Sequence, residues 1–185
     1  MTHKPEDAAV EEFILPENLV PLGSVLEEGV TAFDVSMVLA KVFRVQHAEV
    51  ALLRLDGGLL KFILPEHLRT TGAIPISSKA VAAHTALSKK PEIFNNFARV
   101  KHASIFETIR PVGVGADAEE ASMPEPIQKL MSVPILDRHL TVLGVIQISR
   151  KGLDPRFTQD FSREDLHELE LAAGVLAASP VMQAN

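Results

Sequence analysis

The chain has 185 residues, no cysteine and a formal net charge of −6. Disulfides, thiolate nucleophiles and cysteine-rich metal sites are therefore excluded. The negative balance, with nine Phe but no Trp or Tyr, argues against a nucleic-acid partner, which needs clustered cations and stacking rings.

No apolar run nears the roughly 20 residues that span a bilayer, so no membrane role is expected. The N-terminus lacks the apolar core of a signal peptide, and the expected location is cytoplasmic. Residues 1–12 are charged and poor in apolar side chains, which predicts disorder. Phe13-Ile14-Leu15-Pro16 and Leu19-Val20-Pro21-Leu22 read as an arm able to pack against the domain. A helix is predicted over 30–46. Phe33, Met37, Ala40 and Arg44 fall near one face, and Val35, Val38, Leu39 and Val42 on others. Such a helix needs cover on more than one side.

Residues 49–55 and 59–64 read as strands joined by the turn Asp56-Gly57-Gly58, a hairpin signature. Residues 65–72 read as a loop. Ile74-Pro75-Ile76 and Ser77-Ser78 lead into a serine-capped helix over 79–89, and a strand over 91–94 ends at Asn95-Asn96. The acidic, Gly- and Pro-broken stretch 112–126 reads as an exposed loop. Next, Met131-Ser132-Val133-Pro134-Ile135-Leu136 and the run from Leu140 to Ile148 flank Asp137-Arg138-His139, which predicts a second hairpin. Its second strand is apolar on both sides at Val142–Ile146, which places it centrally. Gly144 suits close backbone approach, and Gln147 and Ser149 suggest that cover is lost toward Arg150. Ser162 with Glu164 and Asp165 caps a helix over 162–178. Leu166, Leu169, Ala173 and Leu176 should face the sheet. Leu171, Val175 and Ala178 form a second stripe, as do Val35, Val38 and Val42 on the first helix, away from Phe33 and Met37. A partner chain is expected to bury these second stripes, with the N-terminal arm as the rival cover.

This order of elements resembles the GAF domain family over roughly residues 31–178, through the run "IPI", helix and "KKPEIFNN", and through "VPI", "GVIQI" and "FTQDF" before a terminal helix. The resemblance implies an α+β fold: an antiparallel sheet of about six strands, terminal helices on one face, and a pocket and lid on the other. The domains expected are an N-terminal arm over 1–29, partly disordered, a GAF-like domain over 30–179 and a tail over 180–185. The function implied is a sensory or regulatory module that binds a small molecule and signals as a homodimer through helices 30–46 and 162–178. Output would pass to a separate protein. The alternative is a ligand-free GAF fold serving as a dimerisation or protein-interaction scaffold.

The lid of such a domain would fall at 97–110. Asn95, Phe97, Lys101, His102 and Phe106 are the candidate ligand-binding residues. Over residues 89–110, Lys89, Lys90, Arg99, Lys101 and Arg110 are opposed only by Glu92 and Glu107, with His102 among them, which suits a small anionic ligand. The bland reading is a solvated face balanced by the acidic loop. The cyclic-nucleotide signature of some GAF domains is matched only in part. Asn95 or Asn96 lacks an adjacent Lys, and Phe161 and Asp165 are followed by Leu166 where Glu is expected. Haem-binding members use a His ligand, which makes His84 a haem-ligand candidate, although a lone His on an apolar helix is more often a packed residue. No metal-ligand spacing occurs around His102, His139 or His167, and the residues identify no cofactor. GAF-like enzymes that reduce free methionine sulfoxide need cysteines, and no nucleophile-elbow, P-loop or His-Glu-x-x-His motif is present. A non-enzyme is expected.

Overall fold

The computed structural model describes residues 14–27, 29–70, 72–97 and 125–183. Six antiparallel strands are β1 (Val50–Asp56), β2 (Leu59–Leu64), β3 (Ala73–Pro75), β4 (Glu92–Phe94), β5 (Ile127–Leu136) and β6 (Val142–Lys151), in the order β3-β2-β1-β6-β5-β4. The expected six-stranded α+β sheet is present and β6 is central. The strand not assigned from sequence is β3, whose Pro75 is tolerated because the strand lies at an edge.

Gly57 and Gly58 both have positive φ, +57° and +78°. Two successive left-handed residues make the tight turn whose twist matches the β1–β2 strands. Helices α1 (Ala32–Phe43) and α3 (Arg163–Ala177) share one face of the sheet, as expected. Each starts with a reciprocal cap: Thr31 with Asp34, and Ser162 with Asp165. On the other face lies α2 (Val81–Ser88). Its expected serine cap is corrected: Ala80 is the cap residue, and the Ser78 hydroxyl accepts the Ala80 N–H before the helix begins.

Two expectations about helix faces are also corrected. On α1, Val35, Leu39 and Phe43 point into the core, while Phe33 and Met37 are 47% and 49% exposed. Both stripes are apolar, so helical spacing alone did not rank them. On α3, the second stripe is not left for a partner chain. Val175 is buried and Leu171 half-buried within this chain. The cover includes the 3-10 segment Glu17–Leu26, whose Leu19, Leu22 and Val25 enter the same cluster. Asn18 donates to Glu168 at 2.9 Å, and the Ser179 hydroxyl donates to the Val25 carbonyl at 2.9 Å. Among the described residues no helix is long and apolar enough to cross a membrane.

Candidate functional site

Alternate residues of the central strands divide the sheet into two environments. Val50, Leu52, Met131, Val133, Ile146 and Ile148 meet α1 and α3 in an apolar layer. The opposite face begins apolar beneath α2, with Ala51, Leu53 and Val145 against Ala82, Ala83 and Ala86. Alanines on that helix let its backbone lie close to the sheet. Along the same face the residues then become polar: Ser132 on β5, Gln147 and Ser149 on β6, all buried.

These side chains form a directed chain of hydrogen bonds. Thr85 gives its one hydroxyl proton to the Val81 carbonyl at 2.9 Å. Ser132 must therefore donate to Thr85 across their 2.6 Å contact, and its oxygen accepts from Gln147 Nε2 at 3.0 Å. The Gln147 carbonyl oxygen takes no part in this chain and remains the acceptor at its head. Ser149 donates to the Glu49 carbonyl at 3.3 Å. Cover is therefore not lost at Gln147 and Ser149, contrary to the sequence-based expectation. Their polarity is matched by partners 15 and 100 positions away in the chain.

Gln147 and Ser149, with Glu49, Ala51, Ile127 and Leu130, line a narrow, half-open concavity with no room for a water-sized molecule. Glu49 is the charged side chain in that lining. Its two oxygens accept the backbone N–H groups of Gln46 at 2.8 Å and Lys151 at 2.7 Å. At one end Phe97 is buried with Val81, Ile127 and Leu130, and Phe94 meets it edge to face, ring centres 6.5 Å apart.

Asn95 lies elsewhere. Its carboxamide clasps the backbone of Phe161, donating to the carbonyl at 3.0 Å and accepting the N–H at 2.9 Å. Lys129, nearly buried, donates to the Asn95 carbonyl at 2.6 Å and pairs with Asp160 at 2.6 Å. Beside them Arg150 donates to the carbonyls of Phe43, Gln159 and Asp160 and stacks 4.0 Å from the Phe161 ring centre. Burial draws the Arg150 guanidinium below its ordinary pKa, opposed by the nearby carboxylates of Asp165, Glu49 and Asp160. The partial nucleotide signature thus does bring Asn95 and Phe161 together, as a clasp between the end of β4 and the start of α3. Asn95 and Phe161 also line an outer cleft of about 500 Å³ with Pro91, Glu92, Ile93, Arg163 and Leu166.

Asn95 and Phe97 consequently face different spaces, the outer cleft and the inner cluster. Lys101, His102 and Phe106 lie outside the described residues. His84 sits on the outer side of α2, half exposed, with Nε2 3.6 Å from a buried oxygen of Glu92. Among the described residues no group of three or more His, Asp or Glu could hold a metal ion. The sequence reading missed the Thr85–Ser132–Gln147 relay. The available signal was a pair of polar residues two apart on an otherwise apolar central strand.

No family model matches the sequence, and no curated protein matches it either. Solved structures do match in shape. The GAF domain of an Acinetobacter phosphoenolpyruvate-protein phosphotransferase superposes with a TM-score of 0.63 at 15% identity, covering 89% of this chain and 90% of that one. The corresponding domain from Coxiella burnetii gives 0.59 at 16% identity, with 86% and 82% covered. A methionine sulfoxide reductase from Staphylococcus aureus gives 0.50 at 15% identity, with 88% and 90% covered. The chain is similar to these in fold, and that fold carries enzymes as well as GAF domains of larger proteins.

Proposed function

We propose that this GAF-fold chain is a sensory or regulatory module that takes a small polar molecule on the second face of its sheet and works as a homodimer. The observation that carries the reading is the buried Gln147–Ser132–Thr85 relay beside the concavity. A face needed only for packing gains nothing from three polar side chains, since burying them brings desolvation costs that their mutual bonds only offset. A relay ending in a free carboxamide acceptor fits a ligand that donates a hydrogen bond. The charge lining the concavity is the negative Glu49, which suits a neutral or donor-bearing molecule better than an anion. Anion binding would rest on Lys101 and His102, with Phe106 as the apolar cap.

The test is mass spectrometry of small molecules released on denaturing the purified chain, paired with Gln147→Leu. The variant should stay folded, because leucine replaces a buried amide of similar size, but retain less than about a tenth of the released compound. Equal retention would remove Gln147 from the site.

A scaffold without ligand is the second reading. It is favoured by Phe97, buried against Phe94, and by a concavity without room for even a water-sized molecule, where ordinary ligand pockets offer a few hundred Å³. Absence of any released compound, with the dimer retained, would select it.

For the dimer, the exposed apolar side chains of the helical layer are Phe33 and Met37 on α1, with Val20 and Leu26 on the 3-10 segment. Replacing Phe33 and Met37 by Glu should convert a dimer to a folded monomer in sedimentation. A Leu171 and Val175 exchange would instead damage the core. Wild-type chain that sediments as a monomer at high micromolar concentration would refute the dimer.

A further inference from the structure

The tip of the β5–β6 hairpin is closed by the Asp137 N–H to the Thr141 carbonyl at 2.9 Å and the Leu140 N–H to the Asp137 carbonyl at 3.0 Å. The three-residue loop Arg138-His139-Leu140 is thus a turn followed by one left-handed residue, a place that glycine or asparagine fills without steric conflict. Here it is Leu140, at φ +61°. A leucine in that conformation is strained, and burial in its own chain would be the usual compensation. Leu140 is instead 64% exposed.

The surroundings point outward as well. Lys89 Nζ donates to the Leu140 carbonyl at 2.9 Å, which ties the tip to the end of α2, where Leu87 is 61% exposed. Lys89, Lys90 and Arg138 are all exposed there. Lys89 and Lys90 also complement the negative end of α2, but Arg138 belongs to the hairpin and has no such role. The acid of the tip, Asp137, is already engaged. Its Oδ1 accepts the N–H groups of His139 at 2.8 Å and Thr141 at 2.9 Å, and these bonds hold its carboxyl below the ordinary range. Two exposed leucines and three exposed cations thus belong to the hairpin tip and the end of α2, which the Lys89 bond ties together, in a chain of net charge −6.

We propose that the hairpin tip and the end of α2 form a docking surface for an acidic segment of a separate protein that carries a large apolar side chain. Leu140 and Leu87 receive the apolar group, and Lys89, Lys90 and Arg138 pair with its carboxylates. The strained loop keeps Leu140 displayed. A protein partner is favoured over an anionic bilayer because the chain's overall negative charge opposes approach to an extended anionic surface. The surface shares no residue with the concavity, so the inference stands apart from the ligand reading.

The test selects short random peptides on the full chain and, in parallel, on Lys90→Glu/Arg138→Glu. Enriched peptides should join Asp or Glu to Leu, Ile or Phe. The synthetic peptide should bind the wild-type chain about tenfold or more tighter than the double variant, with an advantage that falls as salt rises. Peptides enriched without acids, or equal binding to both chains, would overturn the proposal. Leu140→Gly separates display from packing: the expected result is a higher thermal midpoint with weaker peptide binding. A lower midpoint would show that Leu140 serves its own chain, against the proposal. Co-sedimentation with phosphatidylglycerol vesicles that the double variant abolishes would assign the surface to a membrane and likewise overturn it.

Discussion

Gly144→Ala is expected to lower the unfolding free energy by about 3 kcal/mol or more, the upper range for overpacking a well-packed site. Gly144 pairs with Arg54 where β6 meets β1, at the middle of the sheet. A Cβ at this position would overlap the Leu53 carbonyl oxygen and sit 2.7 Å from Met182 Cε. The methionine can swing away. The Leu53 carbonyl is main chain in a paired strand and cannot move without pulling β1 out of register. Gly174→Ala is the control. An added methyl there meets nothing within 4 Å, and alanine is favoured over glycine inside a helix by up to about 1 kcal/mol. Urea titrations of the two variants should shift the midpoint in opposite directions. A Gly144→Ala midpoint equal to wild type would mean that β1 and β6 are not held as tightly as described.

Arg150→Ala should cost about 2–4 kcal/mol, from the loss of three charge-assisted bonds and an aromatic stack. The guanidinium joins two otherwise separate pieces: the end of α1 through Phe43, and the approach to α3 through the carbonyls of Gln159 and Asp160 and the ring of Phe161. Lysine cannot replace it, because one ammonium cannot reach all three carbonyls while lying flat on a ring. Arg150→Lys should therefore recover less than half of the loss. Hydrogen exchange gives a second readout. Amides of residues 154–161 should lose protection in Arg150→Ala before those of β5 and β6 do. Uniform loss across the sheet would argue that the cation acts on global stability rather than on this junction.

What the sequence made legible follows from the range over which each signal acts. The two hairpins announce themselves through neighbours in the chain: Gly57-Gly58 between alternating strands, and Asp137-Arg138-His139 between two β-branched runs. The cap at Ser162 is equally local, and the one at Thr31, though just as local, went unread. Gly144 was readable because few reasons exist for a glycine in a buried strand. The faces of α1 were not readable, since Phe33 and Met37 are as apolar as Val35, Leu39 and Phe43, and only the sheet and the 3-10 segment packed on the helix show which stripe turns inward. The same limit hid the relay. Nothing near Gln147 in the chain indicates Ser132 or Thr85, so its polarity looked like exposure. Asn95 looked like a ligand group because an unpaired amide after a strand is chemically available. Its partner, the backbone of Phe161, is brought to it by the β4–β5–β6 pairing and the turn that follows. Phe97 reads equally well as pocket wall or as filler until Val81, Ile127 and Leu130 are seen around it.

The place of β6 between β1 and β5 also sets the order in which a ribosome can deliver a finished molecule. Val50 pairs with Ile148 and Arg54 with Gly144, so β1 and β2 emerge as a hairpin long before the strand that completes them. During that interval one edge of β1 has its backbone donors and acceptors open, with Leu52 and Leu53 uncovered on either side, the kind of edge that recruits other nascent chains. The segment holding Leu19, Leu22 and Val25 waits longer still, because α3, which helps to cover it, follows β6 in the chain. Productive folding therefore waits until β6 and α3 have left the ribosome, and a chain stalled before residue 142 exposes an open β1 edge rather than forming a smaller version of the domain.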